Sequence, residues 1–599
     1  MDRKRQATSR SVPSRRGLSR AELLDRERGT YLKKWQGLLP VGLFYPNRYQ
    51  VGMSNLGFQL VYRLLNEHEG LVCERLFLPE PNQALVSVES GRPPRDFPII
   101  FISVSFEHDY ANLARFFLAS GLEPLARERR EEITPGNPLV VCGGVAAFMN
   151  PEPLAPLVDI FAVGEAEPLL PTLIGQLAGN DLGDRRRLLA TLNQDYQGFY
   201  APDLYHPLYD GKGRFERLEP EAGLPERIRR IGLESTDYSA HSELLTPETE
   251  FADLYLTELG RGCSRGCRFC AAGFIYRPPR LWDIEAILNS LKERPDGIDR
   301  IGLLGMEMTS RDNLDMIAAN LSADGCSLSF SSLRADRISD NLVGLLSDSS
   351  LKSVAIAPDG GSERLRRVIN KQLTATDLLG AAEKLTEAGI HRLKLYLMIG
   401  LPTEALEDLE EFVNLALRIR EVMHAIGRSR GRLTELSISV NSFVPKPWTP
   451  FQYHPFGGAG ELAAEHTIEG REAVRHLKEK ITYLRSRLGS LPNLRLKFDN
   501  PDQALFQAVL SRGDRRLAEV LLNMADSGIS WKQALKQSGL GEQLFATRQY
   551  AQHSPLAWSI VDHGIDDDYL WREYRRSFEQ KTTAPCDTGV CRICGVCRD

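Results

Sequence analysis

The chain has 599 residues, 42% of them hydrophobic and 26% charged, with a net charge of −5. That length exceeds what one hydrophobic core can organise and predicts about three or four domains. The ordinary composition is that of a globular protein, and the slightly acidic balance argues against nucleic-acid binding through bulk charge.

Residues 1–30 open with MDRKRQATSRSVPSRRGLSR, basic and polar with no apolar stretch behind it. This reads as a disordered tail, with a basic arm for an anionic partner as the alternative; it has no secretory signal pattern. From 31 to 180, short apolar runs such as VGLFYP (41–46), PIIFISVSF (98–106), PLVVCGGVAAF (138–148) and VDIFAVGEAE (158–167) alternate with helical patterns. Alternation of this kind predicts a doubly wound parallel sheet, whose ligands bind beyond the carboxyl ends of the strands. Small or polar residues stand there: Ser54, Ser103, Ser105, Gly143, Gly144, Gly164 and Glu165. The glycines among them suit close approach to a bulky ligand.

Residues 181–250 read as a connector. From 251 to 490 six strands are expected near 254–259, 298–305, 327–332, 353–358, 392–400 and 435–443, forming an incomplete TIM-type barrel with its site at the C-terminal strand ends. From 491 to 599 the pattern is mainly helical and closes on a second group of cysteines. The whole reads as α/β, a doubly wound sheet followed by a partial (βα)6 barrel and a helical C-terminal region. No apolar run approaches the roughly 20 residues that cross a bilayer, so no membrane partner is expected and a cytoplasmic location is.

Seven of the ten cysteines fall in two clusters, which in a large chain without a signal peptide points to metal rather than disulfides. In ELGRGCSRGCRFCAAG (258–273), Cys263, Cys267 and Cys270 place three thiolates in one loop directly after a strand. A four-iron cube needs four ligands, so three leave one iron open for substrate. A zinc knuckle completed from elsewhere is the competing reading. At the other end, CDTGVCRICGVC supplies Cys586, Cys591, Cys594 and Cys597. Its short Cys-x2-Cys steps look ferredoxin-like and suit a second 4Fe-4S cluster, with a structural zinc site as the alternative.

Cys-x3-Cys-x2-Cys with Phe269 before the last cysteine resembles the signature of the radical S-adenosylmethionine (SAM) superfamily. That resemblance implies a 4Fe-4S cluster whose open iron chelates SAM, and whose electron cleaves it to methionine and a 5'-deoxyadenosyl radical. It also implies an external one-electron donor of flavodoxin or ferredoxin type. By the same resemblance, Gly305, Met306 and Glu307, then Ser332 and Arg334, Asp359 with Gly360, and Gly400 and Pro402 in GLPTE stand where strand ends meet SAM. SVNSFVPKPWTPFQY (439–453), VINK (368–371) and RGDRR (512–516) resemble, more narrowly, an uncharacterised bacterial family of B12-binding-domain radical SAM proteins.

In that family the first domain is similar to cobalamin-binding domains. The Asp-x-His-x-x-Gly motif for a lower cobalt ligand is absent here, YQVGMSNLG (49–57) standing in its place, and His68 and His108 read as surface residues. The domain is therefore either a cobalamin site or a scaffold kept for architecture or another ligand. With cobalamin the implied reaction is methyl transfer to an unactivated carbon or phosphorus centre. Without it, hydrogen abstraction leading to rearrangement, ring formation or sulfur insertion stays open. The alternatives are an RNA-modifying enzyme of methylation or methylthiolation type, with Arg512, Arg515 and Arg516 on phosphates, and a non-catalytic iron–sulfur redox or RNA-binding protein. For the three arginines an internal ion-pair network competes, and for Lys446 and Trp448 the choice lies between facing substrate and packing the barrel. The motifs leave the substrate unnamed.

Overall fold

A computed structural model of the chain describes residues 18–597 apart from 81, 180–181, 253, 331, 350 and 459–466. The basic stretch 1–17 lies outside the described residues. Behind it the expected disordered tail gives way to a helix, Arg20–Arg26, begun by a reciprocal capping box between Ser19 and Glu22. Just past this helix, Glu27 pairs with the fully buried Arg75 at 2.7 Å. A buried guanidinium needs such a carboxylate, and that need fixes the segment to the first domain.

Five apolar runs form parallel strands: β1 (Leu39–Tyr45), β2 (Leu71–Phe77), β3 (Ile99–Ser103), β4 (Leu139–Gly143) and β5 (Ile160–Ala162). They are continuous apolar stretches because helices cover both faces of the sheet. The spatial order is β2-β1-β3-β4-β5, and β6 (Phe199–Tyr200) adds antiparallel to β5. The stretch 181–250, expected as a connector, is thus sheet edge near its start, preceded by the helix Arg185–Asp195. Its remainder carries a hairpin, Tyr205–Tyr209 with Phe215–Pro220. The order reverses between β1 and β3, so the crevice for a ligand in this sheet opens at the carboxyl ends of those two strands.

The second α/β unit supplies β7 (Tyr255–Glu258), β8 (Arg300–Leu304), β9 (Ser327–Phe330), β10 (Ser332–Leu333), β11 (Ser353–Asp359), β12 (Arg392–Ile399) and β13 (Glu435–Ser442). β9 and β10 occupy the single run expected at 327–332 and flank the undescribed residue 331. All pairings among these strands are parallel, and so is that of a further strand, β14 (Leu494–Phe498), with β13. The barrel therefore runs one strand past the six expected. β12 shows why the pattern is stable: Leu393, Leu395, Leu397 and Ile399 are buried, while Lys394, Tyr396 and Met398 on the opposite face stay half-buried. The period is two, as a strand with one packed face requires.

Helices Pro501–Arg512, Leu517–Ser527, Trp531–Gln537 and Asp567–Phe578 make up most of the C-terminal region. One apolar cluster runs through the first sheet, the later barrel strands and these helices. A separate smaller one lies under β7, β8 and β9, around Tyr255, Trp282 and Ile301. No helix among the described residues is long and apolar enough to cross a membrane.

Candidate functional site

The three closely spaced cysteines sit in a loop closed at its base. After β7, Gly260 and Arg261 pair antiparallel with Leu281 and Arg280, so residues 262–279 stand on a two-stranded ribbon. Arg261 fixes that ribbon to the first domain. Its guanidinium meets Glu165 at 2.9 Å, Glu167 at 2.7 Å and Glu258 at 3.0 Å. Further in, the Ser264 amide and hydroxyl donate to the two carboxylate oxygens of Glu307 (2.8 and 2.7 Å). Asn370, in the turn after the helix Glu363–Val368, donates its side-chain amide to the carbonyls of Arg265 and Gly266, both at 3.2 Å. Arg268 is fully buried; it donates to the carbonyls of Arg367 and Val368 (3.2 and 2.7 Å) and pairs with Glu573 at 3.0 Å.

Cys263, Cys267 and Cys270 are partly buried. Burial raises the pKa of each thiol, taking Cys270 up to about 12, and the neighbouring thiols add to the effect at Cys263 and Cys270. Opposing this at Cys267 are three cations, Lys371, Arg334 and Arg265. Lys371 is itself held by Asp359 at 2.7 Å, and the Arg334 guanidinium donates to the Lys371 carbonyl at 2.6 Å. Three thiols beside three cations make a donor set suited to a thiolate-ligated cluster and to a ligand carrying a carboxylate, because the cations offset the thiolate charge. Among the described residues, no three histidine, cysteine, aspartate or glutamate side chains meet around a single ion-sized point.

Several strand ends expected near a bound ligand do gather here. Glu307 follows β8 and grips the cysteine loop through Ser264, whereas Met306 beside it is 42% exposed. Gly305 stands in the same turn, close to the Glu307 carbonyl. Asp359 closes β11 with a left-handed φ of 58° and is buried, which raises its pKa against the pull of Lys371. The Ser332 side chain lies outside the described positions, while its backbone belongs to β10. Phe269 is half-buried against the main apolar cluster. Gly400 lies in the turn that follows β12, and Pro402 is buried in it. The Gly400 amide donates to Glu404 at 2.6 Å, Glu404 pairs with Lys480, and this turn lines a cavity of about 350 Å³ with Gly457, His476 and Tyr483.

Lys371 and Asn370 carry no signal of their own in the sequence, although VINK contains both. Their role depends on a turn that brings them back over a loop a hundred positions earlier. Arg268 lies within the cysteine motif itself and is silent there for the same reason: its partners are distant in sequence.

In the first domain the small residues divide. A Cβ on Gly144 (φ 100°) would fall on the Val104 carbonyl, and one on Gly164 (φ 144°) on the Ile231 carbonyl. The close approach expected of a ligand is made at these two positions by the chain itself. Glu165 is likewise committed: Arg280 at 2.5 Å, Arg261 at 2.9 Å and Arg230 at 3.5 Å surround it. Burial opposes its ionisation, but these guanidiniums and the Leu233 amide hold its pKa below the usual carboxylate value. Gly143 is open, and a methyl group there would meet nothing nearer than 3.8 Å. Ser103 and Ser105 stand at the β1/β3 crevice, where Asn55 donates to Ser105 at 3.0 Å. Ser54 instead bonds the Gln50 carbonyl and the Glu250 amide. The same crevice holds Asp109, which burial pushes up to about 6, with one carboxylate oxygen lacking a hydrogen-bond partner.

Arg512, Arg515 and Arg516 are bound internally. Arg512 donates to the carbonyls of His454 and Arg548, Arg515 pairs with the fully buried Glu152 at 2.9 Å, and Arg516 pairs with Asp514 at 2.6 Å. The expectation that they meet phosphates gives way to the internal network, because each guanidinium is already occupied. Lys446 pairs with Glu107 of the first domain, and Trp448 is buried with its ring centroid 4.8 Å from that of His563. Both pack the barrel.

At the C-terminus, Cys586 lies close to Cys591 and Cys594, and Cys597 to Cys594 and Cys591. Burial first and these neighbours next raise the Cys586 and Cys597 thiols, Cys586 to about 11.

A family model described as "Radical SAM proteins, N-terminal" matches residues 57–202, and one described as "Radical SAM superfamily" matches 257–416. An uncharacterized protein of Methanocaldococcus jannaschii is 27% identical over 487 residues, spanning 80% of this chain and 90% of the relative. The radical S-adenosylmethionine methyltransferase TsrM from Kitasatospora setae, solved with tryptophan substrate and a SAM analog, is 13% identical. It covers 67% of this chain and 72% of its own, with a TM-score of 0.41. The cobalamin-dependent S-adenosylmethionine radical enzyme OxsB, with aqua-cobalamin and SAM bound, is 13% identical over 90% of this chain and 80% of its own, with a TM-score of 0.44. The two family matches take in β2 to β6 of the first sheet on one side and, on the other, the cysteine loop with the strand ends from β8 to β12; the chain belongs to the radical SAM superfamily.

Proposed function

We propose that this chain is an enzyme that reductively cleaves SAM at a 4Fe-4S cluster held by Cys263, Cys267 and Cys270. The observation that carries this reading is the three-thiol loop set beside Lys371, Arg334 and Asp359 at the carboxyl ends of the barrel strands. When bound, the cluster supplies one electron to the SAM sulfonium, releasing methionine and a 5'-deoxyadenosyl radical. The protein's own part is orientation and charge. Lys371 and Arg334 offer cations to the SAM carboxylate, Asp359 fixes Lys371, and Glu307 and Asn370 hold the loop backbone in shape. Phe269 and the barrel wall keep water from the reacting atoms.

In the same reading the first domain binds cobalamin and the reaction is methyl transfer. Cobalamin, when bound, carries the methyl group. Its place is the β1/β3 crevice, lined by Ser103, Ser105 and the underpartnered Asp109, with Gly143 open nearby. His108 follows β3, with its ring 3.4 Å from the Gln503 carbonyl. The four tail cysteines form a second metal site.

The test is anaerobic reconstitution with iron and sulfide, reduction in the presence of SAM, and measurement of 5'-deoxyadenosine. Turnover is expected in the native chain and its loss in Cys267→Ala, which stays soluble. Cleavage retained in that variant would overturn the assignment. Cobalt retained by protein expressed with cobalamin, and lost on changing Ser105 and Asp109, would support the first-domain site; cobalt absent from native protein would remove it.

A further inference from the structure

Among the twelve residues from Cys586 to Cys597, Cys594 and Val596 reach the main apolar cluster and the rest add little to it. Val590 is 77% exposed and Ile593 53%, and of the four thiols only Cys594 is buried. A segment this poor in core does not order itself by burial, and small cysteine-rich segments of this kind gain their folding free energy from metal. Yet the chain leading into it is tied down closely, and tied to one place.

Residues 581–586 cross the cysteine loop of the barrel. Arg268, between Cys267 and Phe269, donates to the Lys581 carbonyl at 2.6 Å. The Thr583 amide donates to the Asn370 side-chain oxygen at 2.9 Å, and the Asn370 and Gln372 side-chain amides donate back to the Thr583 carbonyl at 3.2 and 2.7 Å. The Thr583 hydroxyl donates to Glu573, the carboxylate that pairs with Arg268. Last, the Cys586 amide donates to the Ser264 carbonyl at 2.7 Å. Cys586 is thus both the end of the crossing and the first thiol of the tail, one residue's backbone away from Cys263.

A second link runs through Arg277. It is 4% exposed, and no carboxylate pairs with it among the described residues. Its Nε donates to the Gly273 carbonyl at 3.0 Å, its guanidinium lies over the rings of Phe274 and Tyr569, and its polar neighbours include Tyr569 and Cys594. A buried guanidinium calls for a nearby negative charge. Here the groups able to provide it are tail thiolates, the form that metal ligation enforces.

We propose that residues 581–586 are a strap joining a thiolate-held metal centre at Cys586, Cys591, Cys594 and Cys597 to the SAM-cluster loop, so that metal in the tail fixes the shape of that loop. This rests on the reading of Cys263, Cys267 and Cys270 as the SAM-cluster ligands. Arg277 and Arg268 are positioning residues in it, acting through the loop backbone.

The experiment uses the full chain, purified and reconstituted anaerobically, with iron, sulfide and zinc counted and backbone hydrogen exchange followed over 262–273 and 366–372. Native protein is expected to carry a tail metal, as about four irons beyond the first cluster or as one zinc. Cys591→Ser is expected to lose it, keep the iron of the first loop, and exchange amides of 262–273 about tenfold faster. Should that variant fail to fold, Cys597→Ser at the outer end of the tail serves instead. Either metal supports the strap; loss of tail metal with unchanged exchange, or no metal at the tail in native protein, overturns it. Cys267→Ala separates the two readings. If its iron equals that of native protein the catalytic reading fails, while the tail metal and the exchange of 366–372 still decide the strap.

Discussion

Glu165, a residue whose place in the sequence suggests a ligand crevice, instead holds three guanidiniums, Arg230, Arg261 and Arg280, around one buried carboxylate. Through Arg261 that carboxylate stabilises the ribbon under Cys263, so its loss is felt in both domains. Glu165→Gln takes the carboxylate from Arg230 and Arg280 and leaves Arg261 only Glu167 and Glu258; breaking a buried pair costs about 3–5 kcal/mol, and denaturant titration at neutral pH is expected to show a loss of that order. The pH dependence has a definite sign. Since the folded pKa lies below the ordinary glutamate value of 4.5, the contribution is complete above that value and disappears as pH falls through the folded one. The stability gap between native protein and variant therefore narrows on acidification below about 4.5. A gap independent of pH would show that the carboxylate charge is not what matters. Gly164 beside it makes a separate contribution: Gly164→Ala combines a left-handed φ with a clash against Ile231, and is expected to cost about 2–4 kcal/mol in the same titration.

Among the secondary elements, the long helix Leu406–Ser429 is tied to the helix Glu363–Val368 by one side chain, Asp408. It accepts from the Ala405 amide at 2.8 Å and from Arg364 at 2.5 and 3.1 Å, and receives the Ser362 hydroxyl. Asp408→Ala removes charged hydrogen bonds worth about 1.5–3 kcal/mol in total. We expect a lowered midpoint together with faster amide exchange in the turn 400–405, and unchanged exchange there would count against this link. The regular elements are the legible part of the sequence. Period-two and period-3.6 patterns mark the parallel strands and their helices, and Cys-x3-Cys-x2-Cys marks the loop after β7, because both signals are local. β14 is hidden because LRLKF carries two basic residues and buries chiefly Leu494. Equally hidden are the links between distant positions: Asn370 on the cysteine loop, Thr583 on Asn370, and Ile231 against Gly164. No spacing rule records contacts between residues so far apart in the chain.

Taken as a molecule, the chain is bound across its regions by buried polar contacts as well as by the shared apolar cluster. Arg515 reaches Glu152 and Tyr200, Asn150 donates to the carbonyls of Ser511 and Gly513, and Lys446 pairs with Glu107. A single main calorimetric transition is expected for the metal-loaded protein, and Glu152→Gln, which strands Arg515, is expected to lower its temperature without splitting it. Two resolved transitions, one assignable to residues 31–200, would show that these contacts do not couple the regions.

The strap's place in the chain has a consequence for how the protein is made. Cys586 follows Cys270 by 316 positions. At about 5–20 residues per second, roughly 15–60 s of translation separate the two. For that interval the barrel loop has emerged from the ribosome bare on one side, within reach of whatever delivers iron and sulfide, and only afterwards does the tail arrive to cover it. The order of the gene thus leaves the loop uncovered until the tail has been made.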